Sequence, residues 1–187
     1  GYTGTETATT TVKNTDDDSS GITIAQASTP LVTTEAGSTA SFTVVLDAQP
    51  TDSVTVSITG DDSTEHQLSA SSLTFTTSNW NTAQTITVTG VDDSLDDGDI
   101  TTTLTATASN TGGYAGTETA TTTLKTSDND AAGITIAQTG TTDGSGNLLT
   151  TEAGSTSTFT VVLDAKPTAD VTVSITGADS TEHSLSA

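Results

Sequence analysis

The chain has no cysteine, no methionine and no arginine. No disulfide framework holds it together, and no thiolate is available for redox chemistry or for a soft-metal site. Its cations are 3 lysines against 24 acidic residues, a formal net charge of −21. That balance excludes nucleic acid as a partner, because phosphate contacts need cationic side chains. It disfavours an anionic membrane surface for the same reason. Aromatic residues are 3%, with a single tryptophan, so stacking platforms for sugar are scarce. No apolar run approaches the length of a membrane-spanning helix, and no signal-peptide pattern is visible. Hydrophobic residues reach only 30%, close to the disordered regime. An acidic chain without cysteine fits a secreted or cell-surface location.

What is present is repetition. Gly1-Tyr2-Thr3-Gly4-Thr5-Glu6-Thr7-Ala8 returns as Gly113-Tyr114-Ala115-Gly116-Thr117-Glu118-Thr119-Ala120, and Gly21-Ile22-Thr23-Ile24-Ala25-Gln26 returns from Gly133. The step from Gly21 to Gly133 is 112 residues, the size of a small domain rather than of a solenoid turn. Glu35-Ala36-Gly37-Ser38-Thr39 returns at Glu152, after an insertion around Thr141 to Asn147, and the match then runs to Ala187. The expected organisation has three parts: residues 1–18 as the final strand of a preceding copy, 19–130 as one complete copy, and 131–187 as the first half of the next. A lone strand and a half-copy each leave an apolar face uncovered. The expected partners are therefore neighbouring copies of the same chain, or identical chains in a filament that complete each other by donating strands.

Threonine makes up about a quarter of the sequence and alternates with Val, Ile, Leu and Phe. β-branched residues at a period of two are the signature of half-buried strands. Within the complete copy the alternation predicts strands over 22–26 (resuming at 31–34), 40–46, 54–59, 73–76, 84–89, 100–108 and 118–125. Phe42, Val44, Leu46, Val54, Val56, Ile58, Leu73, Phe75, Ile86, Val88, Leu104, Ala106, Ala120, Thr122 and Leu124 point inward. Seven short antiparallel strands predict an all-β immunoglobulin-like sandwich. Trp80 is expected to plug one end of it.

Antiparallel succession sends alternate loops to the same pole. Glu35, Asp61, Asp62, Asp92, Asp93, Asp96, Asp97, Asp99, Asp128 and Asp130 then gather at one end. So many carboxylates repel one another, and Lys125 is the one cation expected near them. Two readings follow. One is a solvated acidic surface. The other is a Ca²⁺ site, since Ca²⁺ takes several oxygen ligands with tolerant geometry.

The stretch Asn79-Trp80-Asn81-Thr82-Ala83-Gln84-Thr85-Ile86-Thr87-Val88-Thr89-Gly90-Val91-Asp92-Asp93 resembles the Calx-β-type repeats of very large bacterial surface and secreted proteins. So do Thr34-Glu35-Ala36-Gly37-Ser38-Thr39 followed by Phe42-Thr43-Val44, and the closing triplets Asp16-Asp17-Asp18 and Asp128-Asn129-Asp130. The resemblance covers the whole repeat. It implies a seven-stranded sandwich with calcium bound at one tip. It also implies ligand positions at Glu35, at Asp61 or Asp62, at Asp92 and Asp93, and at Asp128 and Asp130. The sequence departs from the pattern in three places. Asp96, Asp97 and Asp99 stand where sensor members carry glutamate, Asn129 interrupts the triplet, and Asp61 becomes Ala178 in the next copy.

The recurring pairs Glu65-His66 and Glu182-His183 lack a third nitrogen ligand or a nucleophile, so they are expected to be surface loop. The expectation is a non-enzymatic structural module of an extracellular array: a stalk, filament or adhesin extender stiffened by calcium at its joints. The alternative is a ligand-binding adhesin whose outward threonine rows contact sugar, ice or a cell surface. Only Ala131-Ala132-Gly133 join the copies. The surface facing the acidic pole is expected to include Asp164-Ala165-Lys166-Pro167.

Overall fold

The computed structural model describes residue 1 and residues 4–186, and Tyr2, Thr3 and Ala187 lie outside the described residues. Strands form where β-branched residues alternate with small polar ones. Eleven are present among the described residues: β1 (Ile22–Gln26), β2 (Leu31–Thr34), β3 (Thr39–Leu46), β4 (Val54–Thr59), β5 (His66–Leu68), β6 (Ser72–Phe75), β7 (Gln84–Gly90), β8 (Ile100–Ala108), β9 (Thr119–Ser127), β10 (Ile134–Gln138) and β11 (Phe159–Leu163).

The first nine strands form two sheets, ordered β1-β3-β7-β5 and β2-β9-β8-β4-β6. They are two more than the seven predicted. The first predicted strand divides into β1 and β2, which lie in different sheets. The break falls at Pro30, which has no N–H for a ladder. β5 is three residues long, too short to show a period. Pairing is antiparallel except between β2 and β9, which run parallel from Leu31↔Leu124 to Thr34↔Ser127.

Alternation places the apolar side chains between the sheets. Phe42, Val44, Leu46, Ile86 and Val88 come from one sheet, and Val54, Val56, Phe75, Leu104 and Leu124 from the other. Leu73, Ala120 and Trp80 pack against this core while remaining partly accessible. Tyr114 closes one pole. Its ring is buried, its hydroxyl donates to the Ala48 carbonyl at 2.9 Å, and it accepts from the Ala48 N–H at 3.3 Å.

The remaining segments show how far strand formation depends on partners. Val12 occupies the repeat position of Leu124, but the stretch 4–20 forms no strand, and Val12 is 90% exposed where Leu124 is fully buried. β10 and β11 pair only with each other. Their register, Ile134↔Leu163 to Gln138↔Phe159, reproduces Ile22↔Leu46 to Gln26↔Phe42 of β1 and β3. The local pattern is the same in both places; only in residues 22–127 do two sheets cover each other's apolar faces.

Burial therefore predicts a difference between equivalent phenylalanines. Phe42→Ala is expected to cost about 3–5 kcal/mol of stability. Phe159→Ala, at the equivalent but half-buried position, is expected to cost about 0.5 kcal/mol or less. Urea unfolding of the two variants measures this, and equal costs would show that the second copy packs as tightly as the first.

Candidate metal centre

Four segments reach the pole where β2, β4, β7 and β9 end or turn. The β2–β3 turn brings Glu35, whose N–H donates to the Ser127 carbonyl at 3.2 Å. The β4–β5 connection brings Glu65, whose carbonyl accepts from the Val91 N–H at 2.9 Å. The β7–β8 loop brings residues 91–99, and the end of β9 brings Asp128 to Asp130. Gly37 and Gly98 adopt positive φ, +82° and +79°, a conformation other residues take only with strain. They let these two turns fold tightly.

Cross-links tie the loop to the strand end. The Gly98 N–H donates to Asp128 Oδ2 at 2.7 Å, and the Asp128 N–H donates to Asp99 Oδ1 at 3.2 Å. Asn129 reaches both sides: its N–H donates to Glu35 Oε2 at 3.1 Å, and its side-chain amide donates to Asp92 Oδ1 at 3.2 Å. The closing triplet thus keeps its middle position as a hydrogen-bond donor. Lys125 neutralises one acid, with Nζ 2.5 Å from Asp99 Oδ2.

At the centre, Glu35, Asp128 and Asp130 each place a carboxylate oxygen within 4.8 Å of the others. Glu35 is 2% exposed. Asp130 Oδ2 is buried without a hydrogen-bond partner. Burial raises the pKa of Glu35 above its ordinary value, and the neighbouring charges of Asp128 and Asp93 add to the rise. Asp130 is raised first by desolvation and then by Asp128, Asp92, Asp93 and Asp96. Asp128 is held low by N–H donors from Asp130 and Gly98. Oxygens this close, one of them orphaned and most of them uncompensated, suit a hard divalent cation such as Ca²⁺. Bound there, such an ion would supply charge neutralisation and would tie β9 to the β2–β3 turn. Glu35, Asp128 and Asp130 are the residues positioned to hold it.

The other sequence-predicted positions divide. Asp92, Asp93 and Asp96 lie close enough to raise Asp130. Asp97 lies close enough to raise Glu65, and Asp99 is engaged with Lys125. Asp61 and Asp62 serve their own turn. Asp62 Oδ1 accepts from the Thr64 hydroxyl at 2.7 Å, and Asp61 Oδ1 stands 3.1 Å from His66 Nε2.

Two residues differ from expectation. Glu65, read as surface loop, is 5% exposed. Its pKa is raised first by burial and then by Asp97, Asp62, Glu35 and Asp93, so its carboxylate belongs to the acidic pole. His66, also read as surface, is fully buried and its Nδ1 has no partner. β5 is too short to carry a period, so no signal in the sequence marked the burial of either residue.

An all-β two-sheet sandwich with a carboxylate-lined end is the class that this fold and pole define. No family model and no curated protein matches the sequence. Among solved structures, the chain is similar to PapD-like domain 7 of human CEP192, with 17% identity over 67% of this chain and 98% of that one and a TM-score of 0.42. It is similar to the E. coli chaperone DraB, with 8% identity over 81% and 88% and a TM-score of 0.40. It is also similar to domains 1–6 of the surface layer protein SbsC, with 17% identity over 79% of this chain but 22% of that one and a TM-score of 0.38. These likenesses concern chain geometry and bear on neither activity nor partner. Among the described residues no helix is long and apolar enough to cross a membrane.

The raised carboxylates set the pH response of the metal-free protein. A folded-state pKa above the unfolded value destabilises the fold at neutral pH, and that penalty is removed as pH falls through the folded pKa. With EGTA present, the melting temperature should therefore rise as pH falls from neutral into the carboxylate range. Further acidification reverses the trend, because groups held low lose their contribution below their unfolded values. Glu118, lowered to about 2 by the Ala115 N–H and the Ser20 hydroxyl, is one of them. In excess Ca²⁺ the melting temperature should instead fall on acidification from neutral pH, as protons compete for the ligands. Thermal melts across pH in the two buffers check this, and a decline from neutral pH in both would contradict it.

Proposed function

We propose that this chain is a non-enzymatic structural segment of a repeat array outside the cell, of the Calx-β type its sequence resembles. Its working part is the acidic pole, where a divalent cation stiffens the junction with the next copy. The observation that carries this reading is the trio of buried Glu35 with half-buried Asp128 and Asp130, set where β9 passes into the following copy. A metal-free pole concentrates repulsion at the one place where the chain leaves the sandwich. A cation removes that repulsion and couples the exit strand to the β2–β3 turn. The spacing of the repeats multiplies the effect along an array.

A surface-binding module is the second reading. The observation favouring it is the outward face of β8 and β9, where Thr103↔Thr123, Thr105↔Thr121 and Thr107↔Thr119 are cross-strand pairs. Such a face presents hydroxyl and methyl groups in rows.

Ca²⁺ binding is expected to raise the melting temperature, because only the folded state assembles the ligands. The dissociation constant is expected at about 10⁻⁴–10⁻³ M, as in extracellular modules. Glu35→Gln should weaken the effect while leaving the melt in EGTA unchanged or slightly higher. Identical melting curves in excess Ca²⁺ and in EGTA would remove the basis for the proposal.

A further inference from the structure

β9 ends at Ser127 and β10 begins at Ile134. Across that short link the two copies touch. The Ala132 N–H donates to Asp96 Oδ2 at 2.7 Å. The Lys166 N–H, in the turn after β11, donates to the Ser94 carbonyl at 2.6 Å. Between these bonds lies Leu95, the single apolar residue in the stretch Asp92–Asp99. It lines a groove of about 530 Å³ together with Ala132, Ile134, Leu163 and Pro167 of the following copy. A half-buried leucine is misplaced in a loop built to carry carboxylates, unless an apolar surface meets it.

We propose that residues 94–96 are a docking seat for the next copy of the repeat, with Leu95 as its apolar peg. The occupant is the turn Asp164-Ala165-Lys166-Pro167. The inference rests on reading the chain as a repeat array, and it adds the surface through which consecutive copies meet. The contact uses the Lys166 backbone rather than its side chain. Position 166 is therefore free to vary, and it does: the equivalent residue in the first copy is Gln49. The first copy's turn, Asp47-Ala48-Gln49-Pro50, lies at the pole opposite the acids, so each complete copy carries a seat at one end and its turn at the other. Copies joined this way stack head to tail with a fixed orientation. The same 92–99 loop holds both the seat and carboxylates of the acidic pole. The peg itself offers no ligand atom.

Amide hydrogen exchange on the full chain reads the seat directly. The Lys166 amide is expected to exchange at least about tenfold more slowly than the Gln49 amide, which makes no such bond among the described residues. Leu95→Ser should remove that protection while amides of β3 and β7 keep theirs. The Ca²⁺ dependence of melting should not change, because the peg is not a ligand. Equal exchange at Lys166 and Gln49, or retained protection in Leu95→Ser, would overturn the seat. Loss of the Ca²⁺ response in the unaltered chain would instead count against the cation reading alone. If Leu95→Ser disturbs the sandwich, Lys166→Pro removes the donor without touching the complete copy. The Ala132 amide should then exchange faster, and an unchanged rate there would overturn the proposal.

Discussion

Carboxylates confined at one end of a chain with almost no cations form the constraint that organises this protein. Glu35 and Glu65 are buried, Asp128 and Asp130 stand beside Glu35, and Lys125 answers only Asp99 among the acids. The hydrogen bonds around the cluster come from backbone N–H groups of Gly98, Asn129 and Asp130. They orient individual oxygens without neutralising the group. What remains is a set of close carboxylate oxygens of the kind that would suit a divalent cation.

The sandwich is arranged so that this end is also the exit. β2 and β9 run parallel, which brings the end of β2 and the end of β9 to the same pole. The first lies just before Glu35 and the second just before Asp128. Antiparallel pairing there would have separated the two by the length of a strand. The split between β1 and β2 makes the parallel pair possible, because it moves the second half of the first predicted strand onto the other sheet. Tyr114 closes the opposite pole with bonds to the Ala48 backbone. The turn Asp47-Ala48-Gln49-Pro50 is thereby anchored to the core.

Much of this was legible in the sequence, because period-two alternation reports directly on which face is buried. Phe42, Val44, Val56, Ile86 and Leu104 could be assigned inward from spacing alone. The convergence of Glu35 with the 92–99 and 128–130 segments followed from counting loops. Features set by single contacts were not legible. Nothing periodic marks β5, so Glu65 and His66 read as loop. Position alone brought Asp61 and Asp62 toward the pole, and the contacts of their side chains with His66 and Thr64 could not be read from it. The stretch around Val12 carries the same pattern as β9 yet forms no strand, because neighbouring strands decide the outcome there.

The central claim is that the pole is a cation site rather than a solvated acidic surface. A crystal structure of the chain grown in Ca²⁺ tests it most directly, through the anomalous signal at this pole. The account predicts one strong peak bonded to oxygens of Glu35, Asp128 and Asp130 at about 2.3–2.6 Å. The orphaned Oδ2 of Asp130 should be among them. Ordered water alone at that position, with the three carboxylates turned apart toward solvent, would contradict it.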